Sequence, residues 1–276
     1  MQQNSLALKK EAGDRFFITE EVKLAPGEVK LLKLPRDVRE VFCGNESFSI
    51  QEINNEMDVF LTEDYFTSFR ERKCQILGAN NFNLGLIKIY PEKKSFPKDQ
   101  LTVAPKRVHL SKKNLRRAIK EKKMMSKIYA KKRSEVYIKE PFVVPLKSFV
   151  TSVYGTQRVF NGTKKGQHLG IDLRAAVGVP IPASNRGLVV FTGHLFYTGN
   201  TVVLYHGPGV FTSYSHLNKI LVKEGDLVDK LQIVGEAGMT GRVTGPHLHW
   251  GVYINGSHVD GMSLVETTTI VSELEF

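Results

Sequence analysis

Cysteine is nearly missing from this chain: Cys43 and Cys74 are the only two in 276 residues. Both lie in the N-terminal part, so neither can serve as a metal ligand at the histidine motifs found far downstream. If they pair in an oxidising compartment, the closed loop adds roughly 3 kcal/mol of stability. The sequence leaves the pairing open. Long apolar runs are also lacking, and none reaches the 18 or so residues that a membrane-spanning helix needs. The opening Met1-Gln2-Gln3-Asn4 carries neither the basic nor the apolar region of a secretory leader. The His-Glu-x-x-His motif is absent, which excludes a zinc protease whose general base is the glutamate of that motif. Histidine itself is sparse, with eight residues in all, so any clustering of it stands out.

What is present is an ordinary globular composition, 41% hydrophobic and 24% charged, long enough for two domains. The net charge of +11 is concentrated in one place. Thirteen of the 39 Lys/Arg residues fall between Lys106 and Arg133, with Glu121 the one acid among them, and the rest of the chain is close to neutral. Tyr129 is the only aromatic in this run, so base stacking has little to use and no nucleic-acid partner is expected. The pattern predicts a helix from a Ser111 cap to about Lys132, with Leu115, Ala118, Ile119, Met125, Ile128 and Tyr129 along one stripe. Its cationic face is either simply solvated or drawn to an anionic envelope surface.

Residues 1 to about 15 show no apolar periodicity and are expected to be loose. Short strand patterns follow at Phe16–Thr19, Glu28–Leu34, Val41–Cys43, Phe48–Ile50, Val59–Leu61 and Leu84–Tyr90, separated by turns such as Pro26-Gly27 and Gly44-Asn45. They predict a small β-sandwich of immunoglobulin-like kind with no chemistry of its own. After Pro141 and Pro145 the chain is again dense in strand patterns, which implies a mainly antiparallel sheet with loops raised around a groove.

The chemistry lies in this second part. In Gly245-Pro246-His247-Leu248-His249-Trp250, strand alternation sends His247 and His249 to one face and Leu248 and Trp250 to the core. His168-Leu169-Gly170-Ile171-Asp172 places an imidazole and a carboxylate at an even offset, again on one face if extended. His216 stands alone in Tyr214-Ser215-His216-Leu217. His168, Asp172 and His249 together make a set of nitrogen and oxygen ligands that leaves a fourth zinc position open, with His216 and His247 free for proton transfer or charge stabilisation. His109, His194, His206 and His258 have no paired spacing and read as structural or exposed.

From about Phe149 to Asp260 these motifs, with Phe160-Asn161-Gly162, His206-Gly207, Gly225-Asp226-Leu227-Val228 and Gly241-Arg242-Val243-Thr244-Gly245-Pro246, resemble the LytM/lysostaphin-type M23 zinc peptidases. The resemblance implies His168, Asp172 and His249 as ligands of one zinc ion and His216 and His247 as catalytic groups. It further implies an endopeptidase that hydrolyses peptide crosslinks or stems of bacterial peptidoglycan, working in the periplasm or otherwise exported, with its leader removed. The alternative is a non-catalytic wall-binding or regulatory module that activates another hydrolase and needs no zinc. The expected architecture is mainly β: a sandwich-like domain over 1–105, a basic helical connector over 106–145 and an M23-type antiparallel sheet with a groove over 146–276. Residues 16–105 are further expected to lie partly across the groove.

Overall fold

The computed structural model describes residues 7–11, 15–44, 46–53, 56–102, 110–162 and 164–273. Residues 1–6 and 12–14 of the expected loose start, Asn45 of a predicted turn, and the beginning of the basic run through His109 lie outside these. The rest of the chain is mainly β, as expected. The start is not wholly loose: Ala7–Glu11 is a strand paired antiparallel to Arg15–Leu24. Backbone pairing of this kind needs no apolar pattern, which is why the sequence did not announce it.

The N-terminal half is a sandwich of a six-stranded and a three-stranded sheet. In the larger sheet Arg15–Leu24 runs parallel to Asn83–Pro91, and Arg72–Leu77 joins Asn83–Pro91 to Glu40–Cys43. Cys43 and Cys74 are register partners on neighbouring strands and form a disulfide. Ile18, Val22, Val41, Ile76, Ile87 and Ile89 from this sheet meet Leu32, Leu34, Val59 and Leu61 from the smaller one in a dry core. The single run predicted at Phe48–Ile50 is two strands, Glu46–Phe48 and Ile50–Ile53, which belong to different sheets.

The smaller sheet is apolar on both faces. Val29, Leu31 and Phe60 point away from the sandwich core and join the core of the C-terminal half, where they meet Ile138, Phe142 and Tyr154. The C-terminal helix Gly261–Glu273 packs on this outer face, with the backbone N–H of Val29 donating to Ser263 Oγ at 2.9 Å and that of Leu31 to Thr267 Oγ1 at 3.3 Å. The sequence reading missed this helix, because Thr267-Thr268-Thr269-Ile270-Val271 is β-branched and a poor helix former.

The C-terminal half is built on an eight-stranded antiparallel sheet. Its strands run in the order Val150–Ser152, Ile171–Arg174, His247–Ile254, Val210–Leu217, Gly199–Gly207, Gly187–Leu195 and Leu227–Val228, with Ser257–Val259 also paired to His247–Ile254. Alternation along His247–Ile254 holds as expected: Leu248, Trp250, Val252 and Ile254 are all buried in the core. The opposite face carries His249, Gly251 and Tyr253, which lie across from Ser215, Ser213 and Phe211.

That second face is shared between the basic helix and the groove. The helix spans Lys112–Ala130 and is capped by Ser111 Oγ, which accepts from the N–H of Asn114. Met125, Ile128 and Tyr129 pack on Phe191, Leu195, Val203, Tyr205 and Phe211, and the Tyr129 ring stacks on Tyr253 at 4.2 Å. Burying three such side chains, even in part, is worth a few kcal/mol at about 25 cal/mol per Å². That outweighs exposed ion pairs of roughly 0–1 kcal/mol, so packing, not charge, decides where the helix sits. Lys112, Arg116, Lys120, Lys123 and Lys127 remain exposed to solvent.

Candidate functional site

His249 lies directly across the strand pair from Asp172 on one side and Ser215 on the other. Asp172 therefore reaches His249 by register alone. His168 arrives differently: it sits in the loop before the strand Ile171–Arg174, not in the strand itself. The turn at Gly170 brings its ring back over the sheet. A Cβ at Gly170 would stand 2.5 Å from Cε1 of His249, so only glycine allows both rings to converge there.

The convergence is tight. His168 Nε2 is 2.9 Å from Asp172 Oδ1, His249 Nδ1 is 2.7 Å from the same oxygen, and the two nitrogens are 3.1 Å apart. Donors about 2.0–2.1 Å from a tetrahedral zinc stand roughly 3.3 Å from one another. The tautomer of His168 sharpens the test. Its Nδ1 is 3.0 Å from the carbonyl oxygen of Val153, which can only accept, so Nδ1 carries the proton and Nε2 presents a lone pair. Two acceptor atoms, His168 Nε2 and Asp172 Oδ1, thus face each other with His249 Nδ1 beside both, an arrangement that a cation between them would satisfy. His168, Asp172 and His249 fit a metal ion. The other carboxylate oxygen of Asp172 accepts from Arg158 Nη2 at 3.0 Å, which leaves Oδ1 to face the cluster.

His216 and His247 stand beside the triad, their rings 4.8 Å apart, with His216 also 5.8 Å from His249. Each has Nδ1 against a backbone carbonyl: His216 donates to Thr240 at 2.8 Å and His247 to Gly245 at 2.9 Å. Their Nε2 atoms are left as lone pairs, and that of His247 lies 3.6 Å from Asp172 Oδ1. His216 adopts φ +63, a left-handed conformation that costs about 1–2 kcal/mol for a side-chain-bearing residue. The bond to Thr240 and one from its own N–H to the carbonyl of Thr198 hold it there.

Burial, reinforced by His249 and His247, lowers the pKa of His216 to about 3, so its imidazole is neutral at physiological pH. Burial also lowers His168, against the opposing pull of Asp172. For Asp172, burial pushes the carboxyl up, but the His168 and His249 imidazoles beside it prevail and hold it well below the usual carboxylate range.

All five residues line one groove of about 500 Å³. Its walls also carry residues to which the sequence reading gave no role at the site: Ser152, Arg158, Tyr197, Arg242, Asp99 and His258. Arg158 and Phe160 share a face of the strand Gln157–Phe160, and of the two only Phe160, in Phe160-Asn161-Gly162, fell in a quoted motif. Of the four histidines read as structural or exposed, His206 is buried in the core, where its Nδ1 donates to the carbonyl of Arg186 at 2.7 Å. His194 is exposed and contacts Asn200, and His109 lies outside the described residues. His258 departs from the expectation by lining the groove, because it sits across from Tyr253 on the groove face.

The groove is not covered by the N-terminal sandwich as expected. Among the described residues of 16–105, Asp99 alone lines it. The strand Lys98–Leu101, which carries Asp99, runs parallel to Gln157–Phe160 and widens one wall, while the sandwich packs against the C-terminal helix.

Comparison with known proteins agrees with this geometry. Residues 166–261 match the family model Peptidase family M23, so the resemblance read from the motifs is borne out. The peptidoglycan DD-endopeptidase ShyA of Vibrio cholerae is 42% identical over 114 residues, 41% of this chain and 26% of that protein. Lysostaphin of Staphylococcus simulans is 40% identical over 96 residues, 34% of this chain and 20% of its own. The chain thus spans about a quarter or less of the length of these relatives. A solved structure assigned to peptidase M23 from Pseudomonas aeruginosa shares the fold over 88% of this chain and 95% of its own, with a TM-score of 0.70 at 23% identity.

Proposed function

We propose, from the M23 match and the geometry together, that this protein is a zinc endopeptidase that hydrolyses peptide crosslinks or stems of bacterial peptidoglycan. The observation that carries the reading is the meeting of His168 Nε2, Asp172 Oδ1 and His249 Nδ1 within 3.1 Å, with the lone pairs of two further histidines beside them. In this reading the triad holds one zinc ion, which when bound supplies Lewis acidity and lowers the pKa of water towards 7.

The chain's own residues do the rest. His247 is placed to accept the proton of the attacking water at Nε2 and to pass it to the leaving amine, since its Nδ1 is already committed to Gly245. His216, whose Nδ1 is committed to Thr240, stabilises the developing oxyanion once its Nε2 has taken up a proton and become a donor. Arg158 holds Asp172 in the orientation that keeps Oδ1 on the cluster. All five positions carry the residue type that catalysis needs, so the alternative of a non-catalytic wall-binding module has nothing in its favour.

The division into 1–105, 106–145 and 146–276 belongs to the same proposal, as does export to the periplasm or cell envelope. The Cys43–Cys74 disulfide supports an oxidising compartment. The cationic face exposed along Lys112–Ala130, the helix within the 106–133 segment, suits an anionic envelope surface. Digestion of purified peptidoglycan by the zinc-loaded chain, with mass identification of the fragments, tests the reading. Release of peptide fragments with new amino termini is the expected result, and intact sacculi with full zinc occupancy would overturn it.

A further inference from the structure

The helix Lys112–Ala130 turns one face to the sheet and the other to solvent, and we infer that the outer face lies on an anionic phospholipid bilayer, with Leu115 and Ile119 inserted between the headgroups. This rests on the reading of its cationic face as turned towards the envelope, and narrows it to one partner. The inner stripe of Met125, Ile128 and Tyr129 is packed on the sheet. Lys112, Leu115, Arg116, Ile119, Lys123 and Lys127 recur three or four residues apart and so share the opposite face. All six are exposed. Leu115 is 49% exposed and Ile119 48%, one turn apart, with cations before and after them along the helix.

Folding alone does not account for this face. Lys112, Arg116 and Lys120 follow one another four residues apart, as do Lys123 and Lys127, and like charges at that spacing repel. Lys112 and Lys113 also stand in the first turn, where the helix dipole disfavours a cation and no acid offsets them. Glu121, the one acid of the helix, is already bonded to Arg117 and to the N–H of Phe196. A negative surface against the outer face relieves this repulsion.

Leu115 and Ile119 decide which surface it is. A soluble polyanion would neutralise the lysines and leave both apolar side chains in water. A bilayer takes the cations at its phosphates and the apolar pair at the acyl boundary, while the long lysine and arginine stems reach back to the headgroups. The helix and the groove share one face of the sheet, since Tyr129 stacks on Tyr253 and Tyr253 alternates with His249. The bilayer therefore lies on the groove's side, and the peptides within reach are those nearest the membrane.

The test is sedimentation of the full chain with vesicles of phosphatidylcholine, alone or with about 30% phosphatidylglycerol. Binding to the anionic vesicles should be at least about 100-fold tighter, given about fivefold per cation. Lys123→Gln/Lys127→Gln should weaken it about 20-fold on that scale, and less so as salt is added. Leu115→Ser/Ile119→Ser should weaken it by a similar factor of about 20 at every salt concentration, because half-exposed apolar area is what that pair contributes. In Leu115→Trp the added emission should move to the blue on vesicles and not with soluble polyphosphate. Equal binding to both kinds of vesicle overturns the inference, and so does undiminished binding by Leu115→Ser/Ile119→Ser, which would make the partner a charge alone. Cleavage of a soluble stem peptide should be the same in all of these variants. Vesicle binding without any cleavage supports the inference and counts against the reading of hydrolysis instead.

Discussion

Glu121, the one acidic residue of the basic helix, accepts a hydrogen bond from the backbone N–H of Phe196 at 2.7 Å while pairing with Arg117 at the same distance. Arg117 in turn donates to the carbonyl of His194. The helix thereby grips the turn that carries Tyr197 and Thr198 into the groove wall. Glu121→Gln keeps the size but loses the charge. It is expected to cost about 1 kcal/mol of stability, as for a charge-assisted bond that is half exposed, and to raise KM with little change in kcat. An unchanged KM together with an unchanged melting temperature would show that the turn holds itself.

For the triad, His168→Ala, Asp172→Ala and His249→Ala should each sharply lower zinc content, measured by elemental analysis after dialysis. His216→Ala and His247→Ala should keep zinc and lose turnover by about 10²–10⁴-fold, the usual range for an acid–base or charge-stabilising group. If His247→Ala loses metal as fully as His249→Ala, the two neighbours have been given each other's roles.

Reduction of the disulfide bears on the sandwich and not on the site. The Cys43–Cys74 bridge closes a loop of 31 residues in separation. Cys43→Ala/Cys74→Ala should cost about 3–4 kcal/mol, seen as a lower denaturant midpoint, with zinc content unchanged. A loss of zinc would mean that loosening of the sandwich reaches the groove.

The pH dependence of stability follows from His206. Burial depresses its pKa to about 4 in the folded chain, against about 6.5 when unfolded. The unfolded state therefore binds more protons between these values. The stabilisation is whole above pH 6.5 and is lost as pH falls towards 4, to the extent of about 3 kcal/mol. His258, also near 4, and His216, near 3, act in the same direction. His206→Gln removes one titrating group, so its stability should fall less steeply between pH 6.5 and 4. A slope identical to that of the unmodified chain would mean that His206 is protonated in place.

Much of the site could be read from the sequence because it rests on local rules. The period of two along His247–Ile254 assigns both faces of that strand without further information. His168 joined the set for a reason other than the even spacing that first suggested it, since it approaches through a turn at Gly170 and not along a strand. Arg158 and Tyr197 were invisible, and Arg242 was read only as part of the stretch before His247, because three separate segments bring them together and no spacing marks the meeting. The docking of the basic helix was likewise hidden: Met125, Ile128 and Tyr129 read as an apolar stripe, but nothing in them names Phe211 and Tyr253 as their partners.

The strand Val29–Leu34, apolar towards both halves of the protein, limits how such a chain can be taken apart by recombination. A crossover near Pro141 would strip Val29, Leu31, Phe60 and Ile138 from a core that they share with Phe142 and Tyr154. The orphaned C-terminal piece would present the bare flank of its last helix to water, a surface that invites aggregation. A new N-terminal partner would have to bring its own two-sided sheet at the same height and register. The sandwich and the groove-bearing half of this chain are thus bound together by a core that neither completes alone.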